Sequence, residues 1–158
     1  MAAPLVLPPV RHVPGTGSRP NREFLAPYRD AVPPSVDETN ALSVAAYRYG
    51  FDLYANGYYW EAHEVWEPVW MACRPTGRPR ALLAGLIQLA NAALKRDMGQ
   101  QQAAARLRLA ARQHLADAAV GGSELMGVSI DDLIRALDTG EADIRLPPLP
   151  GSDARDGL

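Results

Sequence analysis

The sequence predicts an all-α protein, a compact antiparallel bundle of about five helices with extended, proline-rich segments at both ends. Apolar residues recur at helical spacing through the middle of the chain, and no segment alternates as a strand would. The connections between the helical segments are short, which favours antiparallel neighbours. The chain has 158 residues, 47% of them hydrophobic, which is enough to bury one core.

Proline content divides the chain into a Pro-rich N-terminal extension over 1–34, a helical bundle domain over 35–140 and a tail over 141–158. The prolines of the first part resist helix formation and favour extended or disordered chain, although Phe24, Leu25 and Tyr28 offer apolar groups for docking. The run Leu-Pro-Pro-Leu-Pro at 146–150 predicts an extended strap followed by disorder.

Capping and stop signals set the expected helix bounds. The first helix should begin at Ser35, where Glu38 completes a capping box, and end near Ala55 before an Asn-Gly pair. A short last helix should be capped by Ser129. The other helices are expected over 58–71, 79–98 and 100–119.

The expected helix over 79–98 is apolar around most of its circumference, and Gln88, Asn91 and Lys95 form a narrow polar stripe. It should therefore be the most buried helix. Gly85 lies in its interior, where glycine costs about 1 kcal/mol relative to alanine. We expect Gly85 to permit the close approach of a neighbouring backbone.

The helix over 58–71 carries two irregularities. Trp60 lies on its polar side, which suggests that a partner subunit or a terminal segment covers the indole. Pro68 lacks the amide that would bond the Glu64 carbonyl, so the helix should kink there and the freed carbonyl needs another donor.

One heptapeptide of this helix, Glu-Ala-His-Glu-Val-Trp-Glu at 61–67, could carry chemistry. Its candidate catalytic residues are Glu61, His63, Glu64 and Glu67. His63 and Glu67 are four residues apart and project to one side, so they are candidate ligands for a divalent metal. Glu61 and His63 point in different directions and cannot share a metal on a regular helix. Further ligands would have to come from Asp52, Asp97 or His114.

A structural interpretation of the same residues stays open. His63 would bond Glu67 or a backbone carbonyl, Glu61 would favour the helix dipole, and Glu64 would be solvated surface. Gln88 and Asn91 would meet a neighbouring helix or water. On the binding interpretation, the ligand-contacting residues are Trp66, Trp70, Gln88 and Asn91.

Two smaller features are also candidate sites. Arg74, Arg78 and Arg80 precede a helix whose N-terminal amides favour anions, but a solvated basic loop is the simpler interpretation. Cys73 lies beside Arg74 without a partnered base, so a nucleophilic role is not expected.

Composition excludes several classes of partner. The net charge of −2 gives no field that would attract nucleic acid or an anionic membrane. The longest apolar stretch, 81–94, contains Gln88 and Asn91 and is too short to span a bilayer. A single cysteine excludes an internal disulfide and fits a reducing compartment, so the cytoplasm is expected.

The run from Tyr54 to Trp70, with Trp-Glu-Ala-His-Glu at 60–64, resembles the signature of the domain of unknown function 309 family. Gly-Leu-Ile-Gln at 85–88 and Leu-Met-Gly at 125–127 fit the same family. The resemblance covers about 37–137 and implies a compact helical bundle without an established activity. It marks Glu61, His63, Glu64, Glu67, Trp70 and Gln88. A histidine that relatives often have near the end of the third helix is replaced here, where Leu94 and Lys95 stand.

Three functional hypotheses follow. The favoured one is a binding or scaffold module for a small molecule or for a second copy of the chain, built on the Glu/His/Trp cluster. The alternative is a metal-dependent hydrolase or other metalloenzyme that uses His63 and Glu67, with Glu64 or Glu61 as base. The third is metal-free acid–base chemistry, which requires Glu61, His63 and Glu67 to converge on a pocket that faces Gln88 and Asn91.

Overall fold

The computed structural model describes residues 4–151 and confirms the all-α prediction. Consecutive helices from α2 to α5 pack against one another, and the α4–α5 pair shares the largest interface. A 3₁₀ turn over Ala41–Ser43 precedes α2, and a two-residue antiparallel ladder precedes α6. The elements are α1 (Arg22–Asp30), α2 (Ala45–Ala55), α3 (Tyr59–Ala72), α4 (Arg78–Asp97), α5 (Gln101–Ala118), β1 (Glu124–Leu125), β2 (Val128–Ser129) and α6 (Ile130–Asp138).

The N-terminal part differs from the sequence expectation, because α1 forms inside the Pro-rich segment. Pro27 is tolerated since the carbonyl that it leaves without a donor belongs to the exposed residue Glu23 and is open to water. The predicted start at Ser35 is wrong. Asp37 instead accepts hydrogen bonds from the backbone and hydroxyl of Thr39, and this local turn delays the helix until Ala45.

Helix α4 forms the centre of the core, as its sequence predicted. Leu82, Leu83, Leu86 and Ala90 are fully buried. A Cβ atom at Gly85 would lie 2.8 Å from Leu115 Cδ2, so the glycine lets α5 pack closely against α4. The expected role of Gly85 is confirmed.

A second close approach was not foreseen from the sequence. Trp66 is fully buried, and its Nε1 donates to the Tyr47 carbonyl at 3.0 Å. Gly50, on the same helix as Tyr47, gives the indole its space, because a Cβ there would lie 2.0 Å from Trp66 Nε1. The contact joins α2 to α3 and fixes the orientation of α3.

The short hairpin before α6 is also new. Met126 has φ 52° and Gly127 has φ 81°, the pair of left-handed residues that suits a two-residue hairpin turn. The Tyr47 hydroxyl donates to the Met126 carbonyl at 2.8 Å and ties the hairpin to the core. Ser129 stands at the N-cap of α6 as expected, but its side chain makes no capping hydrogen bond.

The C-terminal residues form the predicted strap as far as the described chain extends. Ile144 and Leu149 are buried, and the Tyr54 hydroxyl donates to the Ile144 carbonyl at 2.7 Å. Arg108 Nη2 donates to the Glu141 carbonyl at 2.5 Å. The expected disorder beyond the strap falls on 152–158, outside the described residues. None of the helices within 4–151 combines the length and apolarity that crossing a membrane requires.

Candidate functional site

Helices α3, α4 and α5 enclose an open cleft with a volume of about 750 Å³. This volume lies within the range of small-molecule sites, roughly 300–1,000 Å³. Helix α4 contributes apolar lining residues together with the polar Gln88 and Asn91, while α3 and α5 contribute the ionisable groups His63, Glu67, His114 and Asp117. The lining residues are His63, Glu67, Trp70, Pro75, Thr76, Gly77, Arg80, Ala81, Ala84, Ile87, Gln88, Asn91, His114 and Asp117.

His63 and Glu67 stand together on the α3 wall, as their spacing predicted. His63 Nε2 lies 3.2 Å from Glu67 Oε2, and the side chains are 26% and 42% exposed. Both are therefore held in place and still accessible. Gln88 and Asn91 face them from α4, where Asn91 Nδ2 donates to Gln88 Oε1 at 3.4 Å, a long and weak bond. A ligand could readily compete for these amides.

The structural interpretation placed Glu64 on the solvated surface, and this prediction is wrong. Arg29 of α1 donates one nitrogen, Nη1, to both Glu64 Oε2 and the Glu64 carbonyl, each at 2.7 Å. That carbonyl is the one freed by Pro68, so the expected extra donor is found. Helix α3 continues across Pro68 without interruption. Glu64 Oε1 lies 3.9 Å from His63 Nδ1, which places a carboxylate behind the cleft imidazole.

Glu61 does not reach the cleft. Its side chain is fully buried beneath the N-terminal segment, where Oε2 accepts hydrogen bonds from His12 N at 2.8 Å and Asn21 Nδ2 at 2.7 Å. Helical geometry turns Glu61 away from His63, as the sequence implied. The acid–base scheme that joins Glu61, His63 and Glu67 in one pocket is therefore wrong.

The three tryptophans separate into different roles. Trp70 lines the cleft, and Arg80 Cζ stands 4.0 Å from its ring centroid in a cation–π contact. Trp66 belongs to the core and lies outside the cleft, contrary to its assignment as a ligand contact. Trp60 is partly buried by the chain's own N-terminal segment, with the His12 ring packed edge-on at 4.8 Å.

Arg74 before α4 and Arg78 and Arg80 in its first turn diverge, so the anion site considered there does not assemble. Arg78 donates to the Ala118 and Gly122 carbonyls, each at 2.7 Å, and caps the end of α5. Arg80 turns into the cleft and Arg74 is exposed. The Cys73 Sγ bonds the Val69 carbonyl at 3.3 Å, and burial raises the pKa of its thiol to about 11, which disfavours a nucleophilic thiolate.

Within residues 4–151, His63, Glu64 and Glu67 form the one cluster of potential metal ligands, with donor atoms within 4.8 Å of one another. Asp52 and Asp97 do not line the cleft, whereas His114 does so from α5. A cation at His63 and Glu67 fits the 3.2 Å separation of their donor atoms. Glu64 is a poorer ligand because Arg29 already holds it.

Sequence reasoning missed Arg29 and Asp117. Arg29 lies 35 residues before Glu64, and no local pattern joins them. The available signal was that the Glu64 carbonyl, freed by Pro68, needs another hydrogen-bond donor. That signal does not identify the residue that supplies the donor. Asp117 follows His114 by three residues, so both project from one face of α5 into the cleft.

Comparison with protein-family models matches residues 47–107 to one family, described as a domain of unknown function. The match covers α3 and α4 completely and ends within α5. No curated protein and no solved structure matches the chain.

Proposed function

The chain is a member of the DUF309 family over residues 47–107, and from this premise we propose that it is a binding module for a small polar molecule in the cleft between α3, α4 and α5. The family's description names no activity, so the proposal stands on the cleft. Its site residues are His63, Glu67, Trp70, Gln88, Asn91 and His114.

The observation that carries the proposal is the convergence of five side chains from three helices on one cleft of about 750 Å³. His63 and Glu67 come from α3, Gln88 and Asn91 from α4, and His114 from α5. Binding sites combine an apolar surface with a few convergent polar groups, and the alanines and Ile87 of α4 supply that surface. The cleft thus offers donors and acceptors on both walls.

Another cavity, of about 310 Å³, lies under the C-terminal strap. Its two arginines, Arg96 and Arg108, already bond strap carbonyls at Ala142. It is accordingly a packing gap between the strap and the bundle. The larger cleft keeps its polar groups available and is the better candidate.

A thermal-shift screen of small metabolites tests the proposal. A ligand at 100 times its Kd stabilises the protein by about 2.7 kcal/mol, which raises the Tm of a chain of this size by roughly 5–11 °C. Gln88→Ala and His63→Ala should abolish the shift. Gln102→Ala, an exposed glutamine on α5, is the matched control and should keep it. A shift that survives both cleft substitutions would refute this site.

A divalent cation is the second candidate ligand, favoured by the 3.2 Å separation of His63 Nε2 and Glu67 Oε2. Zn²⁺ or Mn²⁺ should raise Tm, EDTA should reverse the rise, and Glu67→Gln should remove it. Glu38→Gln, at an exposed carboxylate, is the control. If neither ion shifts Tm while an organic ligand does, the cleft binds without a metal.

The proposal requires no second subunit. Trp60, whose polar-side position motivated the self-association hypothesis, is partly buried by His12 of the N-terminal segment and by Arg22 of α1. We propose the cytoplasm as the compartment, because the one cysteine is a buried thiol that suits a reducing environment. A single species at the monomer mass in sedimentation at micromolar concentration would agree with a site that needs no second subunit.

A further inference from the structure

The N-terminal residues 4–13, here called the N-strap, form neither helix nor strand, bend at Pro9 and Val10, and contact α2 and α3. The face is built from Tyr49, Tyr58, Trp60 and Glu61, here called the strap groove. Two tyrosine hydroxyls donate hydrogen bonds to N-strap backbone carbonyls that are two residues apart. Tyr49 Oη donates to the Val6 carbonyl at 2.6 Å, and Tyr58 Oη donates to the Pro8 carbonyl at 3.0 Å.

At the C-terminal end of the N-strap, His12 contacts a buried carboxylate and an aromatic ring. The buried Glu61 carboxylate accepts the backbone N–H of His12 at 2.8 Å. The His12 ring packs edge-on against Trp60, and Arg22 Cζ stands 5.7 Å from the centroid of the same indole. Pro8 is the one buried residue of the N-strap, and the partly buried Leu7 beside it packs against the core.

These contacts are those of a peptide-recognition groove. Tyrosine hydroxyls donate here to backbone carbonyls on either side of Leu7, next to a buried proline. Grooves that bind proline-containing peptides use such donors, and the preformed conformation of these peptides loses little entropy on binding. Most of the bonds here go to the N-strap backbone, so many sequences with one proline at the anchor position would satisfy them.

Two further observations separate the groove from its occupant. The groove residues lie within the family match over 47–107, whereas the N-strap lies outside it. Among residues 4–151, Glu61 Oε1 is the one buried side-chain nitrogen or oxygen without a hydrogen-bond partner. The N-strap therefore leaves part of the buried carboxylate's accepting capacity unused, and such an atom calls for a further donor.

We propose that the strap groove is a docking site for an extended, proline-containing peptide segment of a partner protein, and that the N-strap is its built-in competitor. This inference is independent of the cleft ligand. A tethered segment competes at an effective concentration of about 1 mM. If the N-strap has an intrinsic Kd of about 10 µM for the groove, a free peptide would bind the intact chain about 100-fold more weakly than it binds the empty groove.

The test uses the full-length chain and a synthetic peptide of residues 4–13, Pro-Leu-Val-Leu-Pro-Pro-Val-Arg-His-Val. Pro8→Asp should release the N-strap, and Pro9→Asp, at the exposed neighbouring proline, is the matched control. Titration calorimetry should show peptide binding to the Pro8→Asp chain and about 100-fold weaker binding to the wild-type and Pro9→Asp chains. A peptide that carries Pro8→Asp should not bind.

Substitutions in the groove distinguish this site from nonspecific binding. In the Pro8→Asp chain, Tyr58→Phe removes one hydroxyl donor and should weaken peptide binding about three- to tenfold. Tyr54→Phe is the control, because the Tyr54 hydroxyl bonds the C-terminal strap instead. Equal effects of the two changes would overturn the assignment of the groove.

A cut chain covers the case in which Pro8→Asp fails to fold. A protease site inserted between Gly15 and Thr16, in an exposed turn, allows the folded chain to be cut with both pieces present. The short piece should leave on dilution while the helical circular dichroism persists, and it should rebind when added back. The proposal fails if the piece cannot leave without unfolding, if it never rebinds, or if release of the N-strap produces dimers, which would mean exchange between copies.

Discussion

Arg29 should stabilise the fold mainly because Pro68 leaves the Glu64 carbonyl without its helical donor. The Arg29 Nη1 atom lies 2.7 Å from that carbonyl and 2.7 Å from Glu64 Oε2. Replacing Arg29 with Met keeps much of the side chain's apolar stem and removes both bonds. A hydrogen bond from a charged donor is worth about 1.5–3 kcal/mol. The ion pair adds less than about 1 kcal/mol, because Arg29 is 35% exposed.

Arg29→Met should therefore lower the free energy of unfolding by about 2–4 kcal/mol. Pro68→Ala provides the test of the cause, since the substituted alanine restores an amide that can bond the Glu64 carbonyl. In the Pro68→Ala background, Arg29→Met should cost only about 1 kcal/mol, the contribution of the ion pair.

Urea unfolding of the four chains, wild type, two single variants and the double variant, measures the coupling energy directly. We expect a coupling of about 1–3 kcal/mol, which is the cost of Arg29→Met in the wild-type chain less its cost in the Pro68→Ala chain. Lys95→Met, a cation on α4 with no part in this contact, is the control for loss of a positive charge. Additive effects of the two substitutions would refute the argument that Arg29 replaces the proline's missing amide.

Two further predictions concern the core. Gly50→Ala should destabilise the protein by about 2–4 kcal/mol. Displacement of Trp66 and loss of its hydrogen bond outweigh the helix-propensity gain of about 1 kcal/mol. Urea unfolding measures the change, and a variant more stable than wild type would contradict the described packing of Trp66 on Gly50. Cys73 should make stability depend on alkaline pH, since burial raises the pKa of its thiol from 9.0 to about 11. The folded state favours the protonated thiol, so the contribution is complete below pH 9 and is lost as the pH rises to about 11. Cys73→Ala should lose less stability than wild type between pH 8 and pH 10.5, and parallel profiles would refute the assignment.

The helical bundle was predictable because its signals are local. Helical periodicity, the glycines after α2 and α4, and the uniform apolarity of α4 each act within one or two turns of chain. The pairing of His63 with Glu67 follows from helical spacing alone. Glu61 could likewise be separated from the cleft pair, since a fixed rotation per residue turns it to another side.

The predictions that proved wrong concern features that depend on contacts distant in sequence or on competition between local structures. Proline count suggested extended chain over 1–34, but Leu25 is fully buried and tertiary packing stabilises α1 around Pro27. The capping box predicted at Ser35 does not start a helix, because Asp37 forms a local turn with Thr39 instead. The cleft itself depends on how α5 packs on α4, which places His114 opposite His63, and no spacing rule reports that arrangement.

Both terminal segments of the chain are hydrogen-bonded to helix α2, because the Tyr49 hydroxyl donates to Val6 and the Tyr54 hydroxyl donates to Ile144. A recombinant fragment trimmed to the recognised segment 47–107 would lose both of these contacts and would end partway along α5, before His114. Its aromatic residues would face solvent, and such a fragment would tend to aggregate. The physical folding unit is therefore longer at both ends than the portion that sequence comparison recognises, and expression trials on related chains should retain those flanks.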